Sequence, residues 1–140
     1  MPGLALDQAV TIAAATLERR RELGYKPLTV AVLDAGGHVK AVHRDDGAST
    51  LRPDIAIGKA WGALGMGLSS RDIANLAAER PQFVASLAAL ADGKVVPAAG
   101  GVLVKDESGE VIGAVGASGD TSDADEECVL HGITAAGLSS

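Results

Sequence analysis

A histidine beside a pair of glycines is the first residue of this chain whose type and position could do chemistry. His38 follows Asp34-Ala35-Gly36-Gly37, whose glycines favour a tight turn between two strands. A neutral imidazole at such a turn can ligate iron or act as a general base near pH 7. The alternative is a polar turn residue that only hydrogen-bonds to a neighbouring loop. We take His38 as the leading candidate for catalysis and for metal binding.

Two cationic side chains could hold an anionic ligand. Lys59 lies among Ile55, Gly58 and Gly62, on a helix face that otherwise looks inward, so its ammonium can reach a pocket and bind a carboxylate. Arg52, about two turns earlier, could supply a second cation. The alternative for Lys59 is a stem that packs on apolar surface while the amine reaches water. We predict that Lys59 and Arg52 bind a ligand.

An acidic pair begins the last predicted helix. Asp125 shares a helical stripe with Val129 and Ile133, which predicts that it faces the sheet. A carboxylate on an inward stripe needs a partner or a raised pKa. Asp125 or Glu126 could therefore act as an acid or base, or pair with Lys59. Compensation of the helix dipole is the alternative, and it explains acidic residues at this position without any site.

Gly100 and Gly101 lie before another predicted strand, and glycine there indicates close approach of a helix or of a ligand. We predict that both line the ligand site. The pocket is expected between four segments: the His38 turn, the Lys59 helix, Gly100-Gly101 and the start of the last helix.

The elements that must position these residues follow from periodicity and turn signals. A helix from Leu6 ends before Gly24, and a hairpin, a helical middle section, three strands and a last helix follow. The predicted strands are Leu28 to Leu33, Val39 to His43, Val95-Val96, Gly101 to Val104 and Val111 to Ala117. No βαβ unit repeats. We therefore predict one α+β domain over residues 1–140, with a mostly antiparallel five-stranded sheet flanked by helices.

Composition excludes several classes of function. The chain has 140 residues, is 47% apolar and carries a net charge of −6, so nucleic acid is not an expected partner. No apolar run approaches the roughly 20 residues of a membrane helix, and Asp7 and Glu18 interrupt any export signal, so we expect a cytoplasmic protein. The single cysteine, Cys128, excludes an internal disulfide. With three aromatic residues the core must be thin, which favours a homo-oligomer.

Six motifs stand in the order typical of one family. They are Val32-Leu33-Asp34-Ala35-Gly36-Gly37-His38, Arg44-Asp45-Asp46-Gly47-Ala48, Lys59-Ala60, Pro97-Ala98-Ala99-Gly100-Gly101-Val102, the glycine-rich stretch from Gly113 to Gly119, and Asp125-Glu126. In register over nearly the whole chain, they resemble the GlcG/HbpS-like family. The resemblance implies a profilin-like sheet, a higher oligomer, and haem or a related tetrapyrrole as a candidate ligand.

Three functions remain open from the sequence. The first is a small-ligand-binding protein, with haem as the first ligand to test. The second is a hydratase, lyase or isomerase acting on a small carboxylate or oxo acid, with His38 and Asp125 as acid and base. The third is a non-catalytic accessory subunit whose polar residues serve only subunit contacts.

Overall fold

Five helices and four strands make up residues 3–140, the part of the chain that the computed structural model describes. Gly24 ends the first helix with a φ of 71°, a left-handed conformation that glycine adopts without a steric penalty. The elements are α1 (Leu6–Leu23), β1 (Thr29–Asp34), β2 (Val39–Arg44), α2 (Arg52–Met66), α3 (Ser70–Glu79), α4 (Pro81–Leu90), β3 (Gly101–Lys105), β4 (Val111–Ser118) and α5 (Ser122–Ala135).

The strands form one antiparallel sheet in the order β2-β1-β4-β3. This confirms the predicted α+β class with an antiparallel sheet flanked by helices, but the sheet has four strands where five were expected. Val95 and Val96, predicted as a strand, belong to no strand. A β-carbon on Gly62 of α2 would lie 3.3 Å from the Cα of Val95, so this segment packs on the helix instead of joining the sheet.

The two faces of the sheet pack on different helices because side chains alternate along each strand. Val30, Val32 and Val115 join the larger core cluster together with residues of α1 and α5. Leu33 and Ala114 point the other way and pack with Ala60 of α2. Helix α2 therefore lies on one face, and α1 and α5 lie on the other.

The sheet has two ends that matter for function. At the hairpin end, the turn from Asp34 to His38 joins β1 to β2, and Asp34 pairs with Gly113 near the start of β4. At the α5 end, Thr29 pairs with Ser118, and the chain then enters α5. Within residues 3–140, no helix has both the length and the apolar character needed to cross a bilayer.

Candidate functional site

A buried ion pair joins the two helical layers at the α5 end. Nζ of Lys59, on α2, lies 3.3 Å from Oδ2 of Asp125, on α5, and donates to the main-chain oxygen of Ala117 at 2.9 Å. Both side chains are almost fully buried, with 3% and 2% of their surface exposed. The structure thus brings together two residues that are 66 positions apart in the chain.

Asp125 is also held by the backbone that leads into α5. Its carboxylate accepts the main-chain N–H groups of Gly119 at 3.3 Å and Asp120 at 3.0 Å. Burial raises the pKa of the Asp125 carboxyl, and the Asp120 N–H and the Lys59 ammonium oppose that rise only in part. Burial likewise lowers the pKa of the Lys59 ammonium, despite the attraction of Asp125. For both groups, desolvation outweighs pairing.

Gly100 and Gly101 bring the sheet edge close to Lys59. A β-carbon on Gly100, whose φ is 124°, would lie 3.0 Å from Nζ of Lys59, and one on Gly101 would overlap the main-chain oxygen of Lys59. The Ser70 hydroxyl accepts the N–H of Gly101 at 2.6 Å. Of the two sequence interpretations, close approach of a helix is the one that this geometry shows.

Arg52 and Glu126 lie at the same end of the sheet and face different partners. Nη1 of Arg52 donates to Oγ of Ser118 at 3.0 Å. The Glu126 carboxylate accepts Nε of Arg71 at 3.1 Å, so it is engaged at the surface with α3. Glu126 does not contact the buried pair, although it is the next residue after Asp125.

His38 lies at the hairpin end, on the rim of an open cavity of about 900 Å³. Its side chain is 83% exposed. The buried side chains of Leu4 and Ile112 contribute apolar lining, and Lys40 contributes a cation. The remaining lining residues are Gly3, Ala5, Asp7, Gln8, Asp34, Ala35 and Gly36.

Asp34 orients the turn that carries His38. Its Oδ1 accepts the main-chain N–H groups of Gly36 and His38, each at 3.0 Å, and lies 3.5 Å from Nδ1 of the imidazole. The N–H of His38 is the main cause that lowers the pKa of the Asp34 carboxyl. An ionised carboxylate beside Nδ1 favours the tautomer with its proton there, which leaves the Nε2 lone pair free for a metal.

The seven predicted site residues therefore divide between the two ends of the sheet. Six lie at the α5 end, whereas His38 lies at the hairpin end. Gly113 and Ala117 mark the two ends on β4. They are four steps apart along the strand, which corresponds to about 13 Å. The sequence interpretation expected His38 and Asp125 to line a common pocket. Within one chain, the structure does not bring them together.

Sequence reasoning missed three polar residues that the structure places beside predicted ones. Asp34 contacts His38, Ser70 binds Gly101, and Ser118 binds Arg52. An aspartate two residues before Gly36 is a known signal for a side chain that caps its own turn. No comparable signal marks Ser70 or Ser118, because their partners are distant in the chain. Within the described residues, no group of three or more His, Cys, Asp or Glu side chains could hold a metal ion.

The fold and both ends of the sheet define a class: small α+β proteins in which helices cover both faces of an antiparallel sheet. The chain belongs to the HbpS-like family, described as haem-degrading protein HbpS-like, and the family model matches residues 4–134. This confirms the resemblance that the motifs indicated. No curated protein sequence matches the chain.

Solved structures that resemble the chain over nearly its whole length include the following three. A PduOC–haem complex is 25% identical, with a TM-score of 0.87 over 98% of this chain and 97% of that one. HbpS is 25% identical, with a TM-score of 0.83 over 96% and 90%. The protein ORFY of Klebsiella pneumoniae is 25% identical, with a TM-score of 0.87 over 98% and 92%.

Proposed function

We propose that this chain binds haem or a related tetrapyrrole in the cavity beside His38. The observation that carries the proposal is the exposed imidazole on the rim of a cavity of about 900 Å³, with the Asp34 carboxylate beside Nδ1. That volume lies in the range of pockets for small organic ligands. Family membership and the haem-bound PduOC structure support the same ligand class.

The residues of the cavity match the chemistry of such a ligand. Nε2 of His38 would supply a neutral nitrogen ligand for iron, and the Asp34 carboxylate lies beside the other ring nitrogen. Leu4 and Ile112 offer apolar surface to a macrocycle, and the Lys40 ammonium is available to a propionate. Arg52, Lys59, Gly100 and Gly101, predicted as ligand-binding, lie at the other end of the sheet and take no part in this cavity.

Titration with hemin tests the role of His38. The wild-type protein is expected to shift the Soret band with saturation, and His38→Ala is expected to weaken binding at least about tenfold because one iron–nitrogen bond is lost. His131→Ala is the matched control, since His131 is also exposed but does not line the cavity. No Soret shift in the wild type contradicts the function. An equal shift in the His38→Ala protein contradicts the ligand assignment.

The enzyme alternative gains no support from the geometry. His38 and Asp125 were its acid and base, and the two lie at opposite ends of the sheet. Asp125 is almost fully buried and is engaged by Lys59 and two main-chain N–H groups, so it is not free to exchange a proton with a substrate. A cytoplasmic location and the absence of a nucleic-acid partner stay predictions from the sequence.

We further propose that the chain forms a homo-oligomer through α4. This helix carries no charged residue, and Phe83, Leu87 and Leu90 form one stripe along it. Leu90 is 85% exposed. Beside the stripe lies a mainly apolar cavity of about 230 Å³, bordered by Trp61 and Met66. Monomeric proteins seldom expose such contiguous apolar surface.

A second copy of the chain fits this surface because the charges at the two ends of α4 are complementary. Glu79-Arg80 precede the helix, and Asp92 and Lys94 follow it. Each end thus carries one acidic and one basic residue, so when two α4 helices pack antiparallel about a two-fold axis, each charge can pair with an opposite charge at the other end of the partner helix. The apolar stripe then lies in the centre of the interface.

Sedimentation velocity tests this surface. Leu90→Glu is expected to dissociate the wild-type oligomer at micromolar concentration, because the change places carboxylates in the centre of an apolar interface. Val10→Glu on α1 is the control, since Val10 is 42% exposed and lies outside this surface. A monomeric wild-type protein, or a Leu90→Glu oligomer of unchanged mass, would overturn the assignment of α4.

A further inference from the structure

Three side chains form a row across the α2-facing surface of the sheet at the α5 end. Thr29 on β1 pairs with Arg44 on β2 and with Ser118 on β4. Directly paired residues of antiparallel strands point to the same face. Thr29 therefore lies between Arg44 and Ser118, on the face opposite Val30.

The hydroxyl of Thr29 has no hydrogen-bond partner. Its side chain is fully buried, and Oγ1 contacts no donor or acceptor within the described residues. Ser118 is 1% exposed, and its oxygen accepts a hydrogen bond from Arg52, so its hydroxyl can still donate one. Buried hydroxyl groups are nearly always hydrogen-bonded, so the row holds two donors that a ligand could use.

Two guanidinium groups belong to the same region. Arg52 contacts Ser118, and Arg44 donates to the main-chain oxygen of Ala48 at 2.8 Å. In residues 3–140, neither arginine forms a salt bridge, whereas Arg20 and Arg71 each bind a carboxylate. Both guanidinium groups therefore remain available to an anion.

We propose that the row binds the carboxylate of a small organic acid, held by Arg44 and Arg52 and by the hydroxyl groups of Thr29 and Ser118. A carboxylate has the planar, two-oxygen geometry that a guanidinium binds through paired N–H groups. Each of its oxygens can also accept a hydroxyl proton. The ligand supplies both features that the row lacks, which are an acceptor for Oγ1 of Thr29 and an anion for two arginines.

The buried ion pair does not substitute for this ligand. The Asp125 carboxylate is already occupied by Lys59 and by two main-chain N–H groups. Arg52 contacts Ser118 and Lys59 contacts the adjacent residue Ala117, so the two cations lie near each other, and the Arg52 guanidinium contributes to lowering the pKa of Lys59. An anion on Arg52 relieves that repulsion. Thr29 is covered in this structure, so entry requires one of the long side chains beside it, Arg44 or Arg52, to move.

This site is independent of the haem proposal, because it lies at the opposite end of the sheet from His38. Isothermal titration with sodium acetate and sodium succinate, against sodium chloride at equal ionic strength, measures binding. Two-dimensional amide NMR then locates the residues that respond. We expect saturable binding of a carboxylate, with the largest shifts at Thr29, Ser118 and Arg52.

Two substitutions decide whether the row is the site. Thr29→Val keeps the side-chain shape while it removes the hydroxyl, and Arg52→Gln removes the charge. Each is expected to weaken carboxylate binding about tenfold or more, and Arg80→Gln, which changes an exposed arginine on another surface, is expected to leave it unchanged. No saturable binding by the folded wild type, or equal affinity in the Thr29→Val and Arg52→Gln proteins, overturns the proposal.

Discussion

Replacing Lys59 with methionine is expected to lower the free energy of unfolding by about 3–5 kcal/mol at neutral pH. Methionine preserves most of the side-chain volume, so the loss comes from electrostatics and not from a cavity. The Asp125 carboxyl would lose its cation in a buried position, with only two main-chain N–H groups to stabilise its charged form. Denaturation with urea, followed by circular dichroism, measures the change.

Neutralising the acid as well should restore most of that loss. Asp125→Asn retains an oxygen that can accept the N–H groups of Gly119 and Asp120, and it removes the unpaired charge. The Lys59→Met, Asp125→Asn double variant is therefore expected to be more stable than Lys59→Met alone. If Lys59→Met costs less than about 1 kcal/mol, the pair contributes no more than an exposed salt bridge would.

The pH dependence of the same comparison has a definite sign. Burial raises the pKa of Asp125 above its ordinary 3.8, so the folded state retains a proton that the unfolded state has lost, and stability falls as pH rises through that window. Burial lowers the pKa of Lys59 below 10.5, so stability rises as pH passes from the lowered pKa to the ordinary one. The stability of the wild type relative to the double variant should therefore be lowest between the two windows. A difference that peaks at neutral pH would contradict this account.

Gly101→Ala is expected to destabilise the protein by about 3 kcal/mol, through steric overlap. The added β-carbon would overlap the main-chain oxygen of Lys59 and lie 2.9 Å from Oγ of Ser70. The main chain of α2 cannot move away from the added β-carbon without disturbing the ion pair between Lys59 and Asp125. Thermal or urea unfolding gives the magnitude.

Gly65→Ala on α2 is the comparison, because an added β-carbon there makes only ordinary van der Waals contact. Its β-carbon would come no closer than 3.4 Å to the ring of Trp61. Since alanine is the better helix former, this change is expected to raise stability by about 0.5–1 kcal/mol. Unchanged stability in the Gly101→Ala protein, with only its ligand binding lost, would show that Gly101 serves a ligand and not the packing.

Local patterns were sufficient for most elements. Two short β-branched apolar runs and the glycine turn predicted β1 and β2, because a hairpin is specified by residues adjacent in the chain. The prediction of a strand at Val95-Val96 was wrong for the same reason. A β-branched pair indicates an extended backbone, but it does not indicate whether that backbone pairs with another strand. The small surfaces of Gly58 and Gly62 let this segment lie on α2 instead of in the sheet.

The candidate sites depended on relations that no local pattern contains. The inward stripe on α5 predicted that Asp125 needed a partner, and Lys59 was among the alternatives, but the pairing required α2 and α5 to reach around the same end of the sheet. The orphan hydroxyl of Thr29 had no sequence signal, because its neighbours Arg44 and Ser118 come from two other strands.

By itself, the sequence determined the order and type of the elements, the family and the residues able to do chemistry, because periodicity, turn chemistry and motif order are written along the chain. Which of those residues share an environment was decided by the tertiary structure. The strand order β2-β1-β4-β3 puts His38 at one end of the sheet and the buried pair at the other. Strand order is set by the burial of apolar faces between distant segments, and spacing along the chain does not record it.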